Sequence, residues 1–267
     1  MKVTLLHFTP LNICSNAIRT CWQSFDKSDN GGEKDIALIE RVGNKYKHSS
    51  TLEHLHYNFY IQGISRACLQ ELARHRIASY SVKSSRYTLK ELKDEEPFLD
   101  KETQNLGSLS SLRADSQNLH SNPPIKESLD SAILASDSAK NSLDSAETPL
   151  DSANFPLDSA ILARAGKYIV LTGDEAVDCA SINALERLRL LVQSKSNDFA
   201  KYAMPECYKT ELAWSINARS LQNFLSLRTA KSALWEIRAL ARAIYRALPY
   251  EHKFIYTEFV EDLGDEK

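Results

Sequence analysis

Apolar positions recur along the chain with two different periods. Lys2 to Phe8 is a short mixed run closed by Pro10, which predicts a strand. Ile13, Ala17, Cys21 and Trp22 recur near a helical spacing, so a helix is expected that stops before the turn signal Asp29-Asn30-Gly31-Gly32. Ile36, Ile39, Glu40 and Tyr46 fit a second helix, interrupted or ended near Gly43. From Leu52 to Ile61 the period changes: Leu55, Tyr57, Phe59 and Ile61 fall on one side of a two-residue repeat, which predicts a strand. Ile64, Cys68 and Leu72 then form an apolar stripe and Arg66, Gln70 and Arg74 a polar one, so a helix delivers Arg74 at its C-terminal end.

The last hundred residues repeat this alternation of periods. Tyr168 to Leu171 reads as a strand and Ala176 to Val192 as a helix carrying Leu185, Leu188 and Val192. Tyr208 to Ile216 alternates weakly, as a strand does. Residues 218–228 and 230–248 read as two helices. The second has a core stripe of Leu234, Ile237, Ala241, Ile244 and Leu248, and Pro249 stops it. Lys231, Arg238, Arg242 and Arg246 lie on another face, which reads as solvated.

Residues 100–163 have a different character. Leu-Asp-Ser-Ala begins at Leu129, Leu143, Leu150 and Leu157, but Pro149 and Pro156 forbid one continuous helix. With Phe155 as the sole aromatic there is little to bury, and the segment reads as a mobile Ser/Asp/Leu-rich insertion. The expected organisation is a single α+β domain from residues 1–99 and 164–267, an antiparallel or mixed sheet packed with helices.

Composition narrows the function classes. The chain has 267 residues and 43% apolar content, enough for a substantial core. Its net charge is −2, but residues 101–160 hold four Lys or Arg against nine Asp or Glu, so the remainder is mildly basic. That suits small anions better than duplex nucleic acid. Five cysteines form no C-x-x-C pair and read as reduced thiols of a cytoplasmic protein. Neither a signal peptide nor a membrane span is expected, since no stretch approaches about 20 apolar residues.

The candidate chemistry centres on Arg74 to Arg86, the run Arg-His-Arg-Ile-Ala-Ser-Tyr-Ser-Val-Lys-Ser-Ser-Arg. Arg74 and Arg76 project about 200° apart on a helix, with His75 between them. If the chain extends after Tyr80, Ser84 and Arg86 return to one side. Arginine suits anion binding because its planar fork stays charged and grips phosphate oxygens in pairs; a solvated basic helix end is the plain alternative. No Gly-rich phosphate loop is present, so phosphates must be held by side chains such as Arg74, His75, Arg76, Arg86, Lys201, Arg219 and Arg228. Arg219 and Asn223 share a helical face, while Arg228 ends the apolar series Leu221, Leu225. An arginine there needs an anion, a polar ligand or a structural carboxylate such as Glu236. His48, His54 and His56 match no strong zinc spacing, so no metal is expected. Cys207 is the obvious thiol nucleophile if the chemistry is covalent, but a plain buried cysteine is the favoured reading. Tyr80 and Tyr87 beside the basic motif leave open a single-stranded nucleic-acid module that stacks bases.

Three ordered blocks resemble the flavin-dependent thymidylate synthases: Arg74-His75-Arg76 followed after seven residues by Ser84; Asn217 to Arg228; and His48 to His54, which ends in Glu53-His54. The resemblance implies reductive methylation of dUMP to dTMP, with FAD as cofactor, methylenetetrahydrofolate as carbon donor and NADPH as hydride source. It implies a homotetramer whose active sites are shared between chains. By the same resemblance Glu71, Arg74, Lys83, Ser84, Ser85, Arg86 and Lys201 would contact the nucleotide. Ser50, Glu53, Arg74, His75, Arg76, Asn217, Arg219 and Asn223 would contact the flavin, and Arg228 would favour the N3-ionised uracil as the catalytic residue. Two positions depart from the pattern, Val82 replacing a polar residue at the nucleotide and Ser232 standing where relatives often carry histidine, and they leave open a nucleotide- and flavin-binding protein without methylation activity.

Overall fold

The structure, a computed structural model, describes residues 1–99 and 157–260. Most of the segment read as an insertion lies outside the described residues. Its end does not: the helix Ser159–Ala165 starts inside it, N-capped by the Asp158 side chain, and buries Ala165.

Four strands form an antiparallel sheet in the order β1 (Lys2–Phe8), β2 (His56–Ser65), β4 (Lys209–Asn217), β3 (Ala78–Val82). The register places Phe59 opposite Trp214 and Trp214 opposite Tyr80, while Ile61 and Val82 flank Leu212. One face therefore carries the buried Tyr57, Phe59, Ile61, Leu212, Trp214 and Ile216. The helices α1 (Leu11–Thr20), α3 (Arg66–Ala73), α8 (Ala218–Thr229) and α9 (Trp235–Ala247) contribute to the same core. A second core lies among α4 (Ser85–Lys93), α5 (Ser159–Ala165) and the long α6 (Glu175–Ser194), built on Leu89, Leu92, Ile182, Leu185 and Leu188. The short helices α2 (Glu33–Ile39) and α7 (Asn197–Ala200) complete the α-helices of the described residues.

Several expected boundaries move. The apolar alternation from Leu55 is right, but the strand begins at His56, because Ser49–His54 winds into a 3-10 turn that buries Leu52. Tyr168 to Leu171 is not a strand; Ile169 makes one isolated bridge to Tyr208. The last helix starts at Trp235 rather than residue 230, leaving Leu234 62% exposed instead of on the core stripe. Ser84 and Arg86 do not continue β3. Ser84 is the N-cap residue of α4 and Arg86 lies in its first turn, so the expected i, i+2 pairing is lost.

Candidate active site

Helix α3 is fixed at its start by a hydrogen-bonded carboxylate. Ser65 accepts from the Cys68 N–H at 2.9 Å as an N-cap, while Glu236 of α9 accepts from the Ser65 N–H at 2.8 Å and from its hydroxyl. Glu236 is thus spent on α3 and does not pair with Arg228, which corrects the expected structural ion pair. At the other end the helix stops at Ala73. The Tyr80 hydroxyl sits between the carbonyls of Leu72 and His75, at 2.9 and 2.7 Å, and can donate to either. Tyr80, packed on Trp214, is therefore not a free stacking platform.

Helix α8 supplies the facing wall. The Asn217 side chain caps it by accepting from the Ser220 N–H at 2.8 Å, and the Ala218 N–H donates to the Leu55 carbonyl at 2.8 Å. Leu221, Phe224 and Leu225 turn into the core, so the helical period leaves Arg219, Asn223 and Leu227 on the open side.

Between the α3 end and α8 lies a groove of about 780 Å³. The expected residues Glu53, Arg74, His75, Arg76, Asn217, Arg219, Asn223 and Arg228 all line it. Sequence reasoning missed three further wall residues, Ile77, Ser220 and Leu227. Leu227 carried a signal, being off the apolar stripe of its own helix. Ile77 is 74% exposed, and nothing in its neighbours marked it.

Arg228 is the most constrained cation of the groove. Its Nε donates to His75 Nε2 at 3.0 Å, Nη1 to Glu71 Oε2 at 2.8 Å and Nη2 to the Glu71 carbonyl at 3.3 Å. Because a guanidinium only donates, His75 Nε2 must accept and the imidazole proton resides on Nδ1. Burial, then Arg228 and Arg74, hold the His75 pKa down to about 4, opposed by Glu71, so the ring is neutral at pH 7. Phe224 meets that ring edge-on at 5.0 Å. Arg219 and Glu53 form a 2.6 Å ion pair across the groove's outer rim, both partly exposed.

The remaining expected residues lie elsewhere. Ser84 and Arg86 line a second pocket of about 400 Å³ with Tyr87, Lys90, Asn197 and Asp198. There Arg86 Nε contacts Asp198 at 2.7 Å, and Asn197 Nδ2 donates to the Arg86 carbonyl at 3.0 Å. Lys201 is exposed and lies over the Tyr202 ring. Ser85 opens α4 next to this pocket without lining it. Lys83 faces a third pocket, between Glu91 and Glu211, where the two carboxylates raise its pKa against partial burial. Ser50 is exposed in the Ser49–His54 turn and does not line the groove, and neither does Glu71, which stands behind Arg228. Cys207 is remote from the groove, half-buried beside Pro205, with burial raising its thiol pKa. No group of three or more His, Cys, Asp or Glu suited to a metal occurs among the described residues. None of the described helices is long and apolar enough to cross a membrane.

The family model described as thymidylate synthase complementing protein matches residues 4–251. The flavin-dependent thymidylate synthase of Wolinella succinogenes is 52% identical over 257 residues, covering 96% of this chain and 97% of that one. The chain belongs to the flavin-dependent thymidylate synthase family. Its similarity to the family's Helicobacter pylori enzyme is 47% over 260 residues, covering 97% and 98% of the two chains. The crystal structure of the family's ThyX from Helicobacter pylori, complexed with FAD and dUMP, superposes with a TM-score of 0.74 at 46% identity, covering 98% of this chain and all of that one. The α+β architecture and the three sequence blocks thus belong to one family, as their order implied.

Proposed function

We propose that the protein is a cytoplasmic flavin-dependent thymidylate synthase, a methyltransferase that converts dUMP to dTMP. The observation that carries this reading is the meeting of the Arg-His-Arg block and the Asn217 to Arg228 block in one groove, with His75 and Arg228 in direct contact at 3.0 Å.

The groove fits an extended anionic cofactor. Four arginines line it against one carboxylate, Glu53, and the amides of Asn217 and Asn223 add neutral donors. Ile77 and Leu227 give it apolar surface for a ring system. FAD would be held by Arg74, His75, Arg76, Arg219, Asn217, Asn223 and Glu53, with Ser50 contributing from the neighbouring turn. Bound there, reduced FAD supplies the electrons for reductive methylation, with methylenetetrahydrofolate as carbon source and NADPH as reductant.

The chain's own residues bind, orient and stabilise charge. Arg228 faces the pyrimidine of dUMP and favours its N3-ionised form, which makes C5 the better carbon nucleophile. Arg74 reaches the same nucleotide from the opposite wall. His75, neutral, leaves the positive charge of that wall on the arginines.

The nucleotide phosphate is taken by Ser84, Ser85 and Arg86 with Lys201, on a surface separate from the groove. The turn between β3 and α4 offers an N-cap hydroxyl with no cap hydrogen bond of its own, at the start of a nine-residue helix. Because this surface and the groove are distinct in one chain, the working site takes its phosphate-binding turn from a second copy within a homotetramer. Val82 contributes backbone groups only, and Ser232 supplies no imidazole.

The test is the anaerobic absorption spectrum of the purified protein. A flavin band that bleaches with NADPH and dUMP, and dTMP formation on adding methylenetetrahydrofolate, are the expected results. A protein that binds no flavin, or one that bleaches but forms no dTMP in the complete mixture, overturns the reading. Light scattering should give four chains per particle.

A further inference from the structure

Gln222 is a polar residue on the core side of α8, 6% exposed beside the fully buried Leu221. An apolar side chain of similar size would pack there without a polar group to satisfy. Its Nε2 donates to Asn44 Oδ1 at 3.0 Å and to the Ile255 carbonyl at 2.9 Å. Asn44 is 4% exposed, and its Nδ2 donates in turn to Glu40 Oε2 at 2.8 Å. Asn44 lies in Glu40–Lys45, a π-helical turn in which the Tyr46 N–H reaches the Arg41 carbonyl five residues back at 2.9 Å. Such turns are rare and often mark functional sites. Here the turn feeds the Ser49–His54 stretch, which carries Ser50 and Glu53. A Cβ on Gly43 would come within 2.9 Å of the buried Leu52, so the bare glycine seats that stretch directly on the turn. This stretch and α8 are therefore joined twice, at the surface by the Glu53–Arg219 ion pair and inside by two amides 178 positions apart.

We infer that Gln222 and Asn44 are positioning residues, a buried amide clasp that holds α8 in register with the Ser49–His54 turn and so places Arg219 and Asn223 for FAD. This rests on the flavin role proposed above for the groove. The energetics favour alignment over bulk stability. A buried amide pair adds little over a well-packed apolar pair, yet it has one hydrogen-bonded geometry, whereas apolar contacts can slide. The exposed Glu53–Arg219 pair orders its side chains weakly, which leaves the clasp to set the register. Gln222 adjoins Asn223 and follows Arg219 by one turn, so a shift of the clasp moves both groove residues together.

Two variants of the full-length holoenzyme separate alignment from stability, with FAD release on dilution read by flavin fluorescence as Kd and thermal unfolding as Tm. Gln222→Met keeps the volume and leaves Asn44 Oδ1 without its donor. Gln222→Met combined with Asn44→Leu leaves neither amide of the clasp unpaired. The expected result is a Kd for FAD raised by about tenfold or more in both, the loss of about one charge-assisted hydrogen bond. The Tm should fall in the single variant and recover in the double one, because replacing both partners by apolar groups is nearly neutral. A purely structural pair would return the Kd together with the Tm. Ile182→Val in the second core is the control, lowering the Tm while the Kd stays within about twofold. A double variant with a Kd within about twofold of wild type, or a single variant with a Kd no higher than that of Ile182→Val, overturns the inference. If Gln222→Met does not fold, Gln222→Asn, which withdraws the amide by one methylene, is held to the same limits. A wild-type protein that holds no FAD would instead sink the reading of the groove.

Discussion

Arg228 and Arg86 are assigned to the same nucleotide yet sit in opposite kinds of surroundings. Arg228 is 14% exposed and held by three hydrogen bonds to Glu71 and His75. Arg86 is 66% exposed and held by one carboxylate that is itself 60% exposed. An exposed ion pair of that kind is worth about 0–1 kcal/mol and orders its side chain weakly. The contrast separates two tasks. A guanidinium that must address a developing charge is built in advance, where it costs no reorganisation during the reaction. One that only captures a phosphate can be ordered by the phosphate itself.

The largest expected effect tests the prebuilt side. Arg228→Ala should lower kcat by about 10²–10³, the cost of deleting one preorganised charge-stabilising donor. Flavin content, read from the absorption spectrum, should be largely retained, because Arg74, Arg76 and Arg219 remain in the groove. A variant with normal kcat and a raised KM would place Arg228 with Arg86 as a simple anchor.

Arg86→Ala comes next. Loss of a hydrogen bond to a charged phosphate costs about 1.5–3 kcal/mol, so the dUMP KM should rise by about 10–100-fold with kcat within a few-fold. Raising ionic strength should weaken wild-type nucleotide binding through the exposed Arg86 and Lys201. A kcat loss as large as that of Arg228→Ala would erase the distinction between the two arginines.

The two sites were also unequally legible in the sequence. The groove residues are local on their elements: the Arg-His-Arg triplet ends one helix, and Arg219 and Asn223 repeat at i, i+4 on another. Periodicity therefore put Arg219 and Asn223 on a common face and set the triplet at the end of a helix. What it could not supply was the partner of Arg228, because Glu71 lies 157 positions away and meets it only through the sheet order β2-β4-β3. The phosphate side was misread as extended chain. Lys83-Ser84-Ser85 has no apolar period to tell a strand's end from a helix's start, and Ser84 proved to be the N-cap position of α4. Asn197 and Asp198 carried no signal at all; they are brought to Arg86 by the packing of the helical core.

Acid sharpens the comparison, because His75 stands on the groove side. Its pKa is held down to about 4, and so is that of the buried His252, whose Nδ1 lies 2.8 Å from the Tyr57 hydroxyl. The unfolded chain takes up protons on both as pH falls through their ordinary 6.5, while the folded chain resists until about 4. Stability is therefore full above pH 6.5 and lost progressively between 6.5 and 4, with a limiting slope of about 1.4 kcal/mol per pH unit for each histidine. Urea unfolding at pH 7 and pH 5 should show a lower midpoint at pH 5, and His75→Gln should flatten part of that slope. An equal midpoint at both values would mean that the two rings are not held neutral.

The smallest effect is expected at Cys207, and it bears on whether the comparison concerns the right chemistry. A thiol nucleophile needs to be ionised and within reach of C6 of the pyrimidine. Cys207 is half-buried beside Pro205, outside both arginine sites, and burial raises its pKa, which depletes the thiolate. Cys207→Ala should therefore leave kcat and the dUMP KM within about twofold, the scale of a small packing change at a partly exposed position. If that substitution alone abolished turnover while flavin content held, the reaction would run through a covalent thiol adduct. Arg228 and Arg86 would then be two anchors of different quality rather than a stabiliser of charge and a phosphate hook.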